Sequence, residues 1–250
     1  MATDYPDYGA FAWFYNRYWG PEFCRTALAV LKRLLFPKLS TGDHILDLCC
    51  GTGQLAAELV SHGYRVTGVD ASQVMLQFAR KNAPEATFIC DDARSLNHGL
   101  LTGNFDACVS VFDSLNHILM LSELTEVFRR VHSALAVNGS FVFDLNTEEE
   151  FEVGAREAGF DIIEDDHACM VRSRYNGHER LKEYHVTTFK LDDAGWQRND
   201  VTLLQRYHLI EDVKAALWLA DFGAVSVYDG SRDFGMPVKD GRAFFLARKG

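Results

Sequence analysis

The sequence predicts an α/β protein: a mostly parallel sheet with helices on both faces, and an antiparallel β meander inserted late in the chain. Three observations carry that prediction. From His44 to Leu145, short apolar runs alternate with stretches of helical periodicity. The first run stops at Gly51-Thr52-Gly53, a turn that lets backbone approach a ligand before a helix begins. After Thr147 the alternation gives way to extended stretches separated by turn residues.

A chain of 250 residues, 48% of them hydrophobic, is long enough for one full core, so a single domain with an elaboration is expected. The formal net charge of -10, with no dense Lys/Arg block, argues against nucleic acid as a partner. The first residues, MATDYPDYGA, lack the basic and apolar regions of a signal peptide, and Lys32 and Arg33 interrupt the apolar run from Ala27 to Phe36. No membrane association and a cytoplasmic location are therefore expected. Cys24, Cys49, Cys50, Cys90, Cys108 and Cys169 form no C-x-x-C pair and show no zinc-type spacing, and most sit in apolar runs. They read as small core residues, and no metal site is expected.

The stretch from Tyr5 to Trp19 is rich in aromatics: Tyr8, Phe11, Trp13, Phe14, Tyr15, Tyr18 and Trp19. It suits either a helix packing an aromatic face on the core or a lid that brings Tyr8 or Tyr15 to a reacting group. Glu22 to Phe36 is an amphipathic helix ended by Pro37. The first strand holds Asp47 among Ile45, Leu46 and Leu48, and the helix after the glycine turn carries Leu55, Ala56, Leu59 and Val60 on one side. A second strand, Tyr64 to Val69, ends on Asp70. That Asp lies roughly 20 residues past the first glycine, the spacing at which a carboxylate accepts hydrogen bonds from ribose hydroxyls. The unit reads as a nucleoside site.

Ser72 caps a helix running to about Lys81, and Ala86 to Cys90 forms a third strand that ends in Asp91-Asp92-Ala93. A carboxylate past the C-terminal end of a parallel strand points into the ligand crevice, where an adenine amino group can donate to it. Solvated or capping Asp residues are the competing explanation, and the position favours function for Asp92. Phe105 to Val111 is the fourth strand, followed by Phe112-Asp113-Ser114-Leu115-Asn116-His117, with four polar side chains where substrate chemistry is usually placed. A helix from Leu121 to about Ala136 leads to Gly139, which opens a fifth strand from Ser140 to Leu145.

Beyond Thr147, Glu148 to Glu152 begins a short helix. Three extended stretches follow, Ile162 to Tyr175, Leu181 to Leu191 and Asp200 to Leu209, with turns at Asn176-Gly177 and Asp192 to Gly195. Such a meander suits a roof over the site, with Arg172, Arg174, Tyr184, His185, Arg206, Tyr207 and His208 as candidate substrate readers. A solvated sheet face is the alternative. Glu211 to Ala220 is helical. Val225 to Tyr228 and Arg242 to Ala247 are strands joined without a helix, which must pair antiparallel and reverse the edge of the sheet.

From Tyr8 through the final strand, these residues resemble the class I S-adenosylmethionine-dependent methyltransferases, most specifically at Asp47 to Gly53, Asp70, Asp91 to Ala93 and Phe105 to His117. Ser114 to Ile118 and the late β insertion are similar to the glycine and sugar-amine N-methyltransferases. There a Ser-x-x-His-Leu run lines the active site, and here Asn116-His117-Ile118 stands in its place. The family's Tyr-Asp pair reads Tyr15-Asn16. The resemblance implies a Rossmann-like sheet of seven strands with a reversed terminal strand, and S-adenosylmethionine as cofactor. It places Asp47, Cys49, Gly51 and Gly53 around the methionine portion, Asp70 at the ribose and Asp92 with Ala93 at the adenine, with Tyr15, Ala71 and Phe112 completing the cofactor site. With Tyr8 from the aromatic segment and Arg174, Arg206 and Tyr207 from the meander, Asn116 and His117 of the Ser114 to Ile118 run complete the candidate substrate residues.

The implied activity is direct in-line methyl transfer to a small molecule, at an amine nitrogen or else at a hydroxyl or carboxylate, with His117 or Tyr15 receiving any proton released. Residues 1–37 would form a helical lid, 38–147 and 210–250 the cofactor-binding core, and 160–209 the substrate roof. Two other classes compete. Gly51-Thr52-Gly53 with Ala56 also satisfies G-x-G-x-x-A, and Asp70 suits NAD, as in an oxidoreductase. Against that stand Asp47 within the first strand, Asp91-Asp92 after the third and the reversed terminal pair. A cofactor-binding protein without catalysis is the other alternative.

Overall fold

The computed structural model describes residues 8–96, 104–156, 159–237 and 241–250. Residues 1–7 of the expected lid lie outside the described residues. The main sheet is assembled from β1 (His44–Leu48), β2 (Arg65–Asp70), β3 (Thr87–Cys90), β4 (Phe105–Ser110), β5 (Leu135–Asn146), β10 (Phe222–Asp229) and β11 (Arg242–Lys249), in the order β10-β11-β5-β4-β1-β2-β3. β3, β2, β1, β4 and β5 are parallel neighbours, and β11 runs antiparallel to both β5 and β10.

The reversed strand therefore lies inside the sheet, not at its edge as the sequence suggested. The chain does not pass directly from β10 to β11 either: a short helix, Gly230–Phe234, intervenes. That connection lets the chain return between β10 and β5. The placement suits the side chains, because Ala243, Phe244, Phe245 and Ala247 of β11 are buried, whereas β10 is exposed at several positions. β5 is also longer than expected, starting at Leu135 where α4 (Leu121–Ala134) ends, and Gly139 lies within it.

Apolar side chains fill both faces of the main sheet. On one face α4 and α6 (Ile210–Leu219) bring Leu124, Val127, Phe128 and Leu217 onto Leu46, Phe143 and Phe245. On the other, α1 (Gly20–Leu34) and α2 (Gln54–Ser61) bring Val30, Leu31, Leu55 and Leu59 onto Ile45, Val66 and Phe244. No helix among the described residues is long and apolar enough to cross a membrane.

A second sheet holds four strands, not the three expected: β6 (Phe160–Ile163), β7 (His167–Asn176), β8 (Leu181–Asp192) and β9 (Gly195–Arg206), paired antiparallel in sequence order. The acidic Glu164-Asp165-Asp166 breaks the first expected stretch in two, and β9 starts at Gly195, whose φ of 106° allows the tight return from β8. A third apolar cluster joins this sheet to the N-terminal aromatics, with Phe11 and Phe14 against Cys169, Val171, Val186 and Leu203. Tyr18 also hydrogen-bonds His167. Some of the aromatic segment is thus core packing, and the rest faces the site.

Candidate active site

The chain leaves β1 through three left-handed residues, Cys49, Gly51 and Gly53, with φ of 59°, 54° and 80°. The two glycines do different work. A Cβ on Gly53 would lie 2.8 Å from Cα of Ala79 in α3 (Gln73–Asn82), so this glycine permits helix packing. A Cβ on Gly51 would meet only Tyr15, at 3.6 Å, so this glycine leaves ligand space at the mouth of the loop. Asp70 closes the turn: the Gly51 amide donates to its Oδ2 at 2.9 Å and the Ser72 amide to its Oδ1 at 2.8 Å. Burial pushes the Asp70 carboxyl up while these two amides pull it back. Each oxygen keeps a lone pair for a further donor.

Asp47 is 2% exposed, and its Oδ2 has no hydrogen-bond partner among the described residues. Burial, reinforced by the charge of Asp70, pushes its pKa to about 8. Tyr15 opens a widened helical turn that continues to Trp19. The next residue, Asn16, pins that turn to the loop: its Oδ1 accepts from Gln54 Nε2 at 2.9 Å and from Asn82 Nδ2 at 2.7 Å.

At the tip of β4, Phe112 and Asp113 adopt φ of 66° and 50° in succession, an unfavourable conformation for side chains other than glycine. Tertiary bonds hold them there. Arg242 donates to Asp113 Oδ1 at 2.8 Å and also pairs with Asp144, while Gln205 Nε2 donates to Asp113 Oδ2 at 2.5 Å. Burial raises the Asp113 carboxyl, but Arg242 and Gln205 outweigh it and hold the group below the ordinary range. His117 Nδ1 donates to the Leu204 carbonyl at 2.7 Å, which makes Nε2 the acceptor of the neutral ring. Tyr8 donates its hydroxyl to that Nε2 at 2.8 Å. Burial lowers the His117 pKa against the opposing pull of Asp113. On α5 (Glu148–Arg156), Glu150 Oε1 accepts from Lys182 Nζ at 2.7 Å, and Lys182 is 1% exposed.

Both ends open into one cavity of about 490 Å³. Of the residues expected from sequence, it is lined by Tyr8, Tyr15, Cys49, Gly51, Asp70, Phe112 and His117, with Tyr184 from the second sheet. Asp47, Gly53 and Ala71 are not on its wall. Nor are Asp92 and Ala93: both Asp92 carboxylate oxygens accept from Arg94, the closer at 2.6 Å, and Ala93 packs in the core. Asn116 is fully buried, donating to the Arg206 carbonyl and accepting from the Asn146 amide.

Strand alternation explains the remaining placements. Val171 turns inward on β7, so Arg174 turns out to solvent; Leu203 and Gln205 turn inward on β9, so Arg206 turns away and donates to the Glu179 carbonyl at 2.7 Å. Tyr207 packs near Phe151 instead. Sequence reasoning did not reach Asp144, Asn146, Glu150, Lys182, Gln205 and Arg242. One signal was available: Arg242 immediately precedes the apolar run of the last strand, and a charge there needs a buried partner.

A protein of Geobacillus sp. (strain WCH70) that bears a provisional methyltransferase name is 32% identical over 210 residues, spanning 82% of this chain and 84% of that protein. The chain belongs to the class I S-adenosylmethionine-dependent methyltransferases. Residues 45–139 match the model of a methyltransferase domain. A dTDP-3-amino-3,4,6-trideoxy-alpha-D-glucopyranose N,N-dimethyltransferase of Streptomyces venezuelae is 27% identical, covering 74% of this chain and 76% of its own. The solved S-adenosylmethionine-dependent methyltransferase from Clostridium acetobutylicum shares the fold, with a TM-score of 0.74 at 22% identity over 97% of this chain and 99% of that one. The methyltransferase uses S-adenosylmethionine as its cofactor, and the site suits it: an open glycine loop, an amide-oriented carboxylate at Asp70 and an unpartnered buried carboxyl oxygen at Asp47.

Proposed function

We propose that this methyltransferase methylates an amine nitrogen of a small molecule. The observation that carries the reading is the Tyr8–His117 pair, a phenol hydrogen-bonded to a neutral imidazole on the wall of the same cavity as Asp70. S-adenosylmethionine supplies a methyl group activated by its sulfonium. Asp70 would hold the ribose through its free lone pairs, Asp47, Cys49, Gly51 and Gly53 would surround the methionine portion, and Phe112 and Tyr15 would cover the cofactor. Asp92, Ala93 and Ala71 remain the candidates for the adenine end.

The acceptor side must align a nucleophile and remove one proton. Tyr8 accepts that proton on its oxygen as its own passes to His117 Nε2, and the imidazolium then stands beside Asp113. A lowered imidazole pKa is a poor match for ionising an aliphatic hydroxyl. It is adequate for an ammonium that needs only to expose its lone pair. The acidic wall supports the same choice, because a carboxylate acceptor would meet Asp113, Asp144 and Glu150. Residues 1–37 would act as lid and 160–209 as roof, shielding the reaction from water.

The test is turnover of methyl-labelled S-adenosylmethionine with amines and their hydroxyl and carboxyl counterparts, followed by product mass. The expected result is N-methyl product alone, with Tyr8→Phe and His117→Ala each lowering kcat by roughly a hundredfold, the low end for a general base. O-methyl product would overturn the amine assignment. Full turnover by His117→Ala at every pH would remove His117 from the mechanism.

A further inference from the structure

Three buried acceptors at the far end of the cavity receive no hydrogen bond from the described residues: Asp144 Oδ1, Asn146 Oδ1 and Glu150 Oε2. All three residues line the cavity. Asp144 and Asn146 lie two apart at the tip of β5, so they share a face of the strand, and Glu150 follows in the first turn of α5. Asp144 is 1% exposed and Asn146 4%. Buried acceptors are ordinarily met by donors, and three unmet ones in one wall call for a ligand that brings several.

The charges agree. Asp113, Asp144 and Glu150 face Arg242 and Lys182, and Arg242 is committed to the two Asp residues while Lys182 is committed to Glu150. With all three carboxyls ionised and His117 neutral, one negative charge is left over. Burial pushes the Asp144 and Glu150 carboxyls up, so a cation placed there would be met by groups that gain from its charge. A group that carries one positive charge, several N–H donors and no acceptor closes both accounts.

We propose that Asp144, Asn146 and Glu150 seat an alkylammonium group of the acceptor, distinct from the atom that takes the methyl. The distinction follows from chemistry: a nitrogen surrounded by acceptors keeps its proton, whereas a nucleophile must present a lone pair. The acceptor class is then a small molecule with a cationic handle. A nucleoside diphosphate handle is disfavoured, since it would bring negative charge beside Asp113, Asp144 and Glu150, whose cation partners Arg242 and Lys182 are already paired. The inference rests on methyl transfer to a small molecule and holds whichever atom accepts the methyl.

The experiment is isothermal titration of the protein loaded with S-adenosylhomocysteine, using aminobutanol, butanediol and thymidine diphosphate as probes. Aminobutanol and butanediol differ only in the ammonium. Aminobutanol is expected to bind at least about tenfold more tightly than butanediol, the scale of one charge-assisted hydrogen bond. Glu150→Gln and Asn146→Leu are each expected to erase that preference. Glu150→Gln weakens the partner of buried Lys182, so Asn146→Leu, which touches no ion pair, decides if the first variant does not fold. Equal affinities, binding of neither alcohol, a preference that survives both substitutions, or preferential binding of thymidine diphosphate would each overturn the seat. Ammonium binding with no methylated product from any acceptor would strike the proposed function and leave the seat standing.

Discussion

At one end of the cavity the Asp70 carboxylate is oriented by two backbone amides, 19 and 2 residues away in sequence. At the other end Asp113 is held by the side chains of Arg242 and Gln205, 129 and 92 residues away. The first construction is local: a strand, a glycine turn and the next strand suffice, and side-chain identity matters at few positions. The second needs β4, β5, β9 and β11 all in place, with α5 and β8 supplying Glu150 and Lys182. Backbone amides meet the first carboxylate and constrain few side chains. Side chains meet the second, and each can be exchanged separately.

That contrast predicts unequal consequences for single substitutions. The largest belongs to Arg242→Met, which strands two buried carboxylates, Asp113 and Asp144, beside each other. Removing one partner of a buried ion pair costs about 3–5 kcal/mol. For a chain of this size that lowers the thermal midpoint by roughly 10 °C. The affinity for S-adenosylhomocysteine, measured well below the transition, is expected to fall by no more than about tenfold, the share carried by Phe112, whose neighbour Asp113 loses one of its two anchors. A collapse of that affinity would show that the two ends are not separately built.

Asp47 gives the next effect, in the slope of stability against pH. Its pKa is pushed to about 8 in the folded, cofactor-free protein by burial and by Asp70, against an ordinary carboxylate value in the unfolded chain. As pH rises, the unfolded chain gives up its proton first. Wild type should therefore lose about 1.4 kcal/mol for each pH unit between the ordinary carboxylate range and about 8, and level off above it. Asp47→Asn lacks this contribution, so its urea midpoint should fall less steeply with pH over that window. Parallel curves would mean that Asp47 is already ionised and that the cofactor end stores no such cost.

The same contrast decides what could be read from sequence. Strand and helix periods, the glycine turn and the interval to Asp70 are short-range patterns, and they led to the parallel core and to the cofactor end. The neighbour of the reversed strand is a long-range choice, made by whether β11 or β10 has the more apolar faces, and the position of β11 between β10 and β5 was missed for that reason. Arg174 and Arg206 attracted attention as charges on strands, but phase sends them outward; Gln205, one residue from Arg206, faces in. Glu150 could not be distinguished from its neighbours Glu148 and Glu149 without knowing where Lys182 comes to lie.

The smallest effect tests a place where the family pattern is altered locally, the Tyr15-Asn16 pair. Asn16 accepts both of its clamp hydrogen bonds on Oδ1 and donates neither. Both partners are partly exposed, so Asn16→Ala is expected to cost about 1 kcal/mol, the usual net value of a hydrogen bond that water can replace. Its effect should appear mainly in function, because the clamp holds the turn that starts at Tyr15 against the glycine loop. The KM for S-adenosylmethionine should rise by roughly threefold to tenfold, with the thermal midpoint moving by only about 2–4 °C. Asn16→Asp is the sharper variant: an acceptor-only carboxylate makes the same two bonds, so it should restore the wild-type KM. If Asn16→Asp behaves like Asn16→Ala, the asparagine is engaged through its amide hydrogens, and the Tyr-Asn pair is a change of function at this position and not a conservative exchange.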